Sequence, residues 1–207
     1  MKIRSFDPIA PFYDVFMALF RKHIPGRIIA SLKPGQGDVV LDVGGGTGYN
    51  AARMEGEGRR VIVLDISFKM LKRARKAGGL DLVLGDARRL PFKEKRFDVV
   101  MAVDSLHHVR DYPAVLKEVR RTGRGKVFAA EFWGRSLTGK VLTGLERLFL
   151  PVAYLRPDAF RAEASRQGIR GGWRYVSGYE YFFLGRIEEA LPVPEANAQR
   201  GPKDRVL

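Results

Sequence analysis

Cysteine is absent from this chain of 207 residues, asparagine occurs twice and glutamine three times. The lack of cysteine excludes disulfide bonds, cysteine-ligated zinc and thiol nucleophiles, and no other metal-ligand pattern is present. The scarcity of labile amides is typical of thermophile proteins. No run of eighteen apolar residues occurs, so we expect no transmembrane segment. The first residues lack the apolar core of a signal peptide, and we expect a cytoplasmic protein.

Acidic residues are few: 23 Asp and Glu stand against 37 Lys and Arg, which gives a formal net charge of +14. The excess is concentrated in residues 61–130, where sixteen basic residues accompany eight acidic ones. A basic surface of this kind attracts nucleic acid or an anionic membrane. It is also typical of a charged face that only meets water. Charge alone therefore leaves nucleic acid open as a partner and says nothing about oligomeric state.

Short apolar segments alternate with helical ones through the middle of the chain. The predicted strands are VVLDV, RVIVLDI, LDLVLGDA, FDVVMAVDS and GKVFAAEFW, and the predicted helices between them are YNAARMEGEG, FKMLKRARKAG and DYPAVLKEVRRTG. Strands that are apolar throughout and alternate with helices indicate an α/β fold whose parallel sheet is covered on both faces. Two later segments, IRGGWRYVSG and YEYFFLGRI, predict an antiparallel pair.

The flanking segments complete one predicted domain, residues 1–191. Residues 6–32 have helical spacing of apolar side chains and predict lead-in helices. Residues 132–155 are rich in apolar side chains and predict a cap over the sheet. Residues 192–207 are polar and contain proline, which predicts a flexible tail.

The stretch LDVGGGTGYN places four glycines in five positions directly after a predicted strand. A strand, glycine loop and helix in this order direct backbone N–H groups toward a ligand. Asp65 ends the next strand, where an acidic residue can accept both hydrogen bonds of a ribose diol. The dinucleotide fingerprint needs a third small residue at position 49, which is Tyr49. The spacing therefore favours a ribose-containing cofactor other than a dinucleotide.

Four stretches in order, VLDVGGGTG, VIVLDISFKML, LGDARRLPF and FDVVMAVDSLHHVRDYPAVLKEVRR, resemble the class I S-adenosylmethionine-dependent methyltransferases, in particular the ubiquinone/menaquinone C-methyltransferase group. The segment FDPIAPFYD resembles the lead-in helix of that group, so the likeness covers about residues 6–131. It implies a Rossmann-like, doubly wound sheet of seven mostly parallel strands with an antiparallel last strand. It also implies S-adenosyl-L-methionine as cofactor, with S-adenosyl-L-homocysteine as product.

The resemblance implies cofactor contacts at the ends of four strands and in the lead-in helix. The implied residues are Tyr13, Asp42, Gly44, Gly45, Gly46, Asp65, Ile66, Met70, Gly85, Asp86, Ala87, Val103, Asp104 and Ser105. Asp42 resembles the acid that orients the cofactor's ammonium group, and Asp65 resembles the acceptor for the ribose diol. Ile66 and Met70 resemble the apolar wall beside adenine, and Asp86 resembles the acceptor for its exocyclic amine. We expect Asp65 to support little packing, because it stands at a strand end.

Methyl transfer from a sulfonium is an in-line displacement with an activated leaving group, so a base is needed only if the acceptor must lose a proton. The candidates for a base near the strand ends are Asp104, His107, His108 and Glu131, and His108 and Asp104 are the ones we predict to be catalytic. The resemblance implies that the second histidine of the pair faces the sheet or the cleft floor. A structural role for either histidine stays open.

The acceptor is predicted from the apolar segment that follows the fifth strand. This segment suits a lipophilic or aromatic small molecule, and a cap helix packed on the sheet explains it equally well. The basic residues instead favour RNA, for example tRNA, as acceptor. A third alternative is a noncatalytic protein that binds the cofactor or a partner. Cofactor titration separates the third alternative from the first two.

Overall fold

A computed structural model describes residues 24–56, 58–132, 144, 155–177 and 180–188. Tyr13, most of the predicted lead-in and cap segments, and the predicted tail lie outside the described residues. The described part contains one sheet with helices on both of its faces, as the sequence predicts.

The strands are β1 (Val39–Val43), β2 (Arg60–Asp65), β3 (Asp81–Leu84), β4 (Phe97–Val103), β5 (Gly123–Phe132), β6 (Ile169–Ser177) and β7 (Glu180–Ile187). They form a seven-stranded sheet in the order β3-β2-β1-β4-β5-β7-β6. β7 runs antiparallel to β5 and β6, and the pairs from β3 to β5 are parallel. This confirms the predicted Rossmann-like fold with an antiparallel last strand.

The helices described are α1 (Ile24–Leu32), α2 (Phe68–Ala74), α3 (Tyr112–Thr122) and α4 (Pro157–Arg166), with 3-10 turns at Ala51–Arg53, Arg75–Ala77 and Leu106–His108. Two side-chain caps position α2 and α3: the Ser67 and Asp111 side chains accept backbone N–H groups of Met70 and Ala114. Across these described segments, no helix is long and apolar enough to cross a bilayer.

The helix predicted over YNAARMEGEG is wrong, because only the 3-10 turn Ala51–Arg53 forms there. Gly48 and Gly56 both have left-handed φ angles, of 73° and 111°, and they interrupt the segment on either side. An α-helix needs φ near −60°, so it cannot continue through either glycine, and positions 49–55 are all that remain between them. The connection between β1 and β2 therefore lacks the α-helix that covers most such crossovers.

Each face of the sheet carries its own apolar layer. Leu41 and Val43 of β1 face the layer that contains α3 and α4, whereas Val40 faces the layer that contains α1 and α2. Strand side chains alternate between the two faces, which puts Asp42 on the α1 and α2 side. Asp42 is in register there with the buried Val63 and Met101. The side chain of Asp42 is thus surrounded by the core rather than by water.

Candidate cofactor and active site

The order of the strands brings the predicted site residues to one edge of the sheet. From β1 the chain proceeds outward through β2 to β3, whereas β4 and β5 lie on the opposite side of β1. Such a switch point, at the carboxyl ends of parallel strands, is where doubly wound folds bind ligands. The glycine loop follows β1, Asp65 ends β2, and Asp104 follows β4.

The glycine loop is held close to its neighbours in the protein. The N–H of Gly44 donates to the carbonyl of Leu64 at 2.7 Å. A Cβ at Gly44 would lie 2.7 Å from Cβ of Ser105, and one at Gly45 would lie 2.6 Å from Oδ2 of Asp42. Real Cβ atoms do not approach that closely. Glycine is therefore required at both positions by the protein's own packing, whatever ligand the loop receives. The third glycine of the loop, Gly46, has a left-handed φ of 57°.

Asp65 fixes the loop to the start of α2. Its Oδ2 accepts the N–H of Gly46 at 2.9 Å, and its Oδ1 accepts the N–H of Ser67 at 2.7 Å. Both contacts are buried, so Asp65 supports more structure than its strand-end position predicts. A carboxylate oxygen accepts more than one hydrogen bond. These contacts therefore leave the predicted role toward a ribose diol possible, and that role stays a prediction.

Asp42 is the buried acid beside the loop. Its side chain is 1% exposed, and neither carboxyl oxygen has a hydrogen-bond partner among the described residues. Burial, with a smaller contribution from the charge of Asp65, raises the pKa of Asp42 to about 7. A buried carboxyl of this kind gains stability from a cation or N–H donor supplied from outside. An ammonium group fits this requirement, as the resemblance implies.

The end of β4 is tied to both neighbouring strands. The backbone N–H of Asp104 donates to the carbonyl of Ala130 at 2.8 Å, and Ser105 Oγ donates to the carbonyl of Val43 at 2.9 Å. Asp104 has a φ of 50°, a left-handed conformation that is uncommon outside glycine. Val103 and Asp104 are both buried. The loop after β4 is thereby fixed next to the glycine loop.

Glu131 and His107 form a buried pair beneath this loop. Glu131 is fully buried, and its Oε1 accepts the N–H of Leu106 at 2.9 Å. Its Oε2 bonds with Nδ1 of His107. His108 is only partly buried, and its ring centre lies 3.9 Å from that of His107. The first histidine of the pair, rather than the second, is therefore the one held against the sheet. The signal in the sequence is Glu131, the single acid of β5, within the otherwise apolar run VFAAEF.

The residues predicted beside adenine differ in their surroundings. Ile66 is 37% exposed next to Asp65, whereas Met70 is 1% exposed. Asp86 accepts a hydrogen bond from Arg88 Nη2 at 2.6 Å, and this bond lowers the pKa of Asp86. Gly85 donates its N–H to the carbonyl of Asp65 at 3.0 Å, which ties the segment of Asp86 and Ala87 to the end of β2. The adenine contacts of these residues stay predictions.

Comparison with known proteins bears on the whole arrangement. A profile of the family described as "Methyltransferase domain" matches residues 41–128. The chain is 34% identical to a demethylmenaquinone methyltransferase of Thermobifida fusca, over 61% of this chain and 59% of that protein. It is also 34% identical to a demethylmenaquinone methyltransferase of a Mycobacterium species, over 77% of this chain and 70% of that protein.

A solved structure shares the fold across nearly the whole chain. It is a chain in the complex between the Trm112 methyltransferase activator of Haloferax volcanii and a methyltransferase. Its TM-score is 0.78 at 19% identity, covering 92% of this chain and 99% of that one. At that identity the likeness concerns the fold alone.

The fold, the glycine loop and these matches together show that the chain belongs to the class I S-adenosylmethionine-dependent methyltransferases. Within that class it is similar to the ubiquinone/menaquinone C-methyltransferase group. The chain spans 59% of the length of the Thermobifida relative.

Proposed function

We propose that this chain transfers a methyl group from S-adenosyl-L-methionine to a lipophilic or aromatic small molecule of the quinone type. The observation that carries the proposal is Asp42, a buried carboxyl beside the glycine loop that has no hydrogen-bond partner among the described residues. The α-ammonium group of the cofactor would supply positive charge and N–H donors. A nicotinamide dinucleotide has no such group.

The other residues that we propose to bind the cofactor lie at the same edge of the sheet as Asp42. Asp65 would receive the ribose hydroxyls while it holds Gly46, and the exposed side of Ile66 would contact adenine. When bound, the cofactor supplies a sulfonium methyl already activated for in-line displacement. The protein therefore has to align the acceptor and exclude water.

A phenolic or ring-carbon acceptor must lose a proton during methylation, and His108 and Asp104 are the residues we propose for this step. Asp104 is fixed by its backbone bond to Ala130. The His108 ring lies against that of His107, tilted by 49°, and Glu131 anchors His107, so the contact restricts the orientation of the His108 ring. Replacing His108 with glutamine distinguishes His108 from Asp104 as the base. The variant loses the imidazole, keeps a polar side chain and leaves Asp104 unchanged.

The quinone-type acceptor is supported by the named activity of the relatives and by the apolar composition of residues 132–154. RNA is the second candidate, and a specific observation favours it: Lys69, Lys72 and Lys76 form an exposed basic surface on and just after α2. A cationic surface binds phosphates with an affinity that falls steeply as salt is raised.

The test is transfer of labelled methyl groups from the cofactor to two acceptors offered separately. One is a reduced naphthoquinone without the ring methyl, held in detergent, and the other is total tRNA at low and high salt. We expect label in the quinol, and much less label when Asp42→Asn is used at a cofactor concentration that is just sufficient to saturate the natural chain. Label only in tRNA would establish the second candidate. Cofactor binding without transfer to any fraction of a cell extract would indicate the noncatalytic alternative.

A further inference from the structure

A second cavity, of about 270 Å³, lies apart from the residues of the candidate active site. One wall consists of Thr47, Gly48, Tyr49 and Ala52, which follow the glycine loop. The other wall includes Arg73 of α2 and Lys76 of the 3-10 turn after it. The volume is just below the range of about 300–1,000 Å³ that drug-sized ligands occupy. The cavity therefore suits a small group.

The short connection between β1 and β2 creates this cavity. Gly48 packs tightly against the end of α2, since a Cβ there would lie 2.7 Å from Leu80 Cδ1 and 3.4 Å from Ala74 Cβ. Beyond Gly48 the chain forms only the 3-10 turn Ala51–Arg53. An α-helix in this crossover would fill the space beside α2. Its absence opens the space between the two walls.

Among the described residues that line the cavity, the charged ones are the basic residues Arg53, Arg73 and Lys76. Arg53 is held in place, because its guanidinium carbon lies 4.1 Å from the centre of the Tyr49 ring. Its Nη1 also donates to the carbonyl of Tyr49 at 2.7 Å. A guanidinium has five N–H donors, so this bond leaves donors for a ligand. Three cations around one small cavity select an anion.

Thr47 adds an independent observation at the base of the same cavity. Its side chain is 5% exposed, and its hydroxyl has no hydrogen-bond partner among the described residues. A buried hydroxyl without a partner is destabilising, and native proteins rarely retain one. An oxygen atom of a bound anion would accept this hydroxyl proton.

We propose that this cavity binds a phosphate group through Thr47, Arg53, Arg73 and Lys76. A tetrahedral anion presents several oxygens at once, which matches one buried hydroxyl and basic side chains on both walls of the cavity. The group belongs either to a soluble phosphate compound or to the headgroup of an anionic lipid. The proposal does not depend on methyl transfer.

The first test is calorimetric titration of inorganic phosphate into the full chain, with chloride used to keep ionic strength constant. We expect saturable binding, weakened about tenfold in Arg53→Gln and in Lys76→Gln, since each removes a charge-assisted hydrogen bond. Thr47→Val keeps the size of the side chain, and we expect it to weaken binding as well. Asp42→Asn should bind phosphate as the natural chain does, which separates this site from the cofactor site.

Lys93→Gln is the matched control, because Lys93 is an exposed cation in the loop before β4 and its replacement changes the net charge equally. Absence of saturable binding would overturn the proposal, and so would an equal loss of affinity in Lys93→Gln. Circular dichroism of each variant checks that the fold is retained.

The second test distinguishes the two sources of the phosphate. The chain is sedimented with phosphatidylcholine vesicles that contain phosphatidic acid, and with vesicles of phosphatidylcholine alone. Cosedimentation that requires both phosphatidic acid and Arg53 assigns a lipid headgroup. Binding of free phosphate without such cosedimentation assigns a soluble phosphate compound.

Discussion

Asp42 and Glu131 are both buried acids of the central sheet, and their surroundings are opposite. Glu131 in β5 accepts the N–H of Leu106 and bonds to His107, so its charge is satisfied within the protein. Asp42 in β1 has no hydrogen-bond partner among the described residues, and burial raises its pKa to about 7. A buried acid with internal partners organises the fold. A buried acid without internal partners destabilises the free protein and gains stability when a cationic ligand binds.

The difference arises from what each strand has beside it. Glu131 lies next to the turn that follows β4, which presents a backbone N–H and an imidazole. Asp42 lies in register with Val63 and Met101, which provide no donors. A buried carboxyl group therefore stabilises the fold at Glu131, whereas at Asp42 it favours the binding of a cationic ligand.

The largest expected effect comes from replacing Asp42 with asparagine, which removes the charge and keeps the shape. We expect the affinity for S-adenosylhomocysteine to fall about a hundredfold, or about 3 kcal/mol, because the ligand's ammonium loses a buried ionic partner. The free protein should become more stable above neutral pH, because it no longer buries a carboxylate. Calorimetry and thermal unfolding measure the two effects.

Glu131→Gln is the matched comparison, a neutral isostere of the second buried acid. An amide cannot accept both hydrogen bonds, so we expect the free energy of unfolding to fall by about 1–2 kcal/mol. Cofactor affinity should change little. If Glu131→Gln weakens cofactor binding as much as Asp42→Asn does, the proposed difference in role between the two acids is wrong.

A smaller effect is expected from Gly45→Ala, which places a methyl group 2.6 Å from Asp42 Oδ2 and 3.0 Å from Val63 Cγ1. Overpacking of this kind costs about 1–3 kcal/mol, and we expect a lower melting temperature together with weaker cofactor binding. Gly172→Ala is the control, because no atom lies within 4 Å of a Cβ there. Equal melting temperatures for the two variants would show that the loop does not press on Asp42.

The smallest change for a single step, here one pH unit, is expected from a pH dependence that Asp42 should cause and Glu131→Gln should leave intact. The pKa of Asp42 is about 7 in the folded chain and 3.8 in its ordinary state. Between these values the folded chain retains a proton that the unfolded chain has lost. Stability from this group therefore falls as pH rises, by at most about 1.4 kcal/mol per pH unit, and levels off above pH 7.

Cofactor binding near pH 6 should then release a proton, because a bound ammonium favours the ionised carboxylate. Calorimetry in two buffers with different enthalpies of ionisation measures this proton. We expect its release to disappear in Asp42→Asn. Binding enthalpies that are identical in both buffers for the natural chain would contradict the raised pKa.

The sequence by itself determined that the chain forms a sheet, that the strands through β5 are parallel, and that acids stand at the strand ends. Apolar segments such as VVLDV and RVIVLDI are typical of strands buried on both faces, and the spacing of Asp42, the glycines and Asp65 favoured a cofactor other than a dinucleotide. These features are local in the chain, so periodicity and spacing are sufficient to predict them.

Only the tertiary structure decided which acid is satisfied and which is not. Asp42 and Glu131 are each the single acid of their strand, with apolar residues on either side, and the difference depends on neighbours far away in sequence. Asp65 likewise accepts a hydrogen bond from Gly46, a loop residue that precedes it by nineteen positions. The missing helix after Gly48 depended on two left-handed glycines. Hydrogen bonds and close packing between distant segments form only when the chain is folded, so no local pattern carries them.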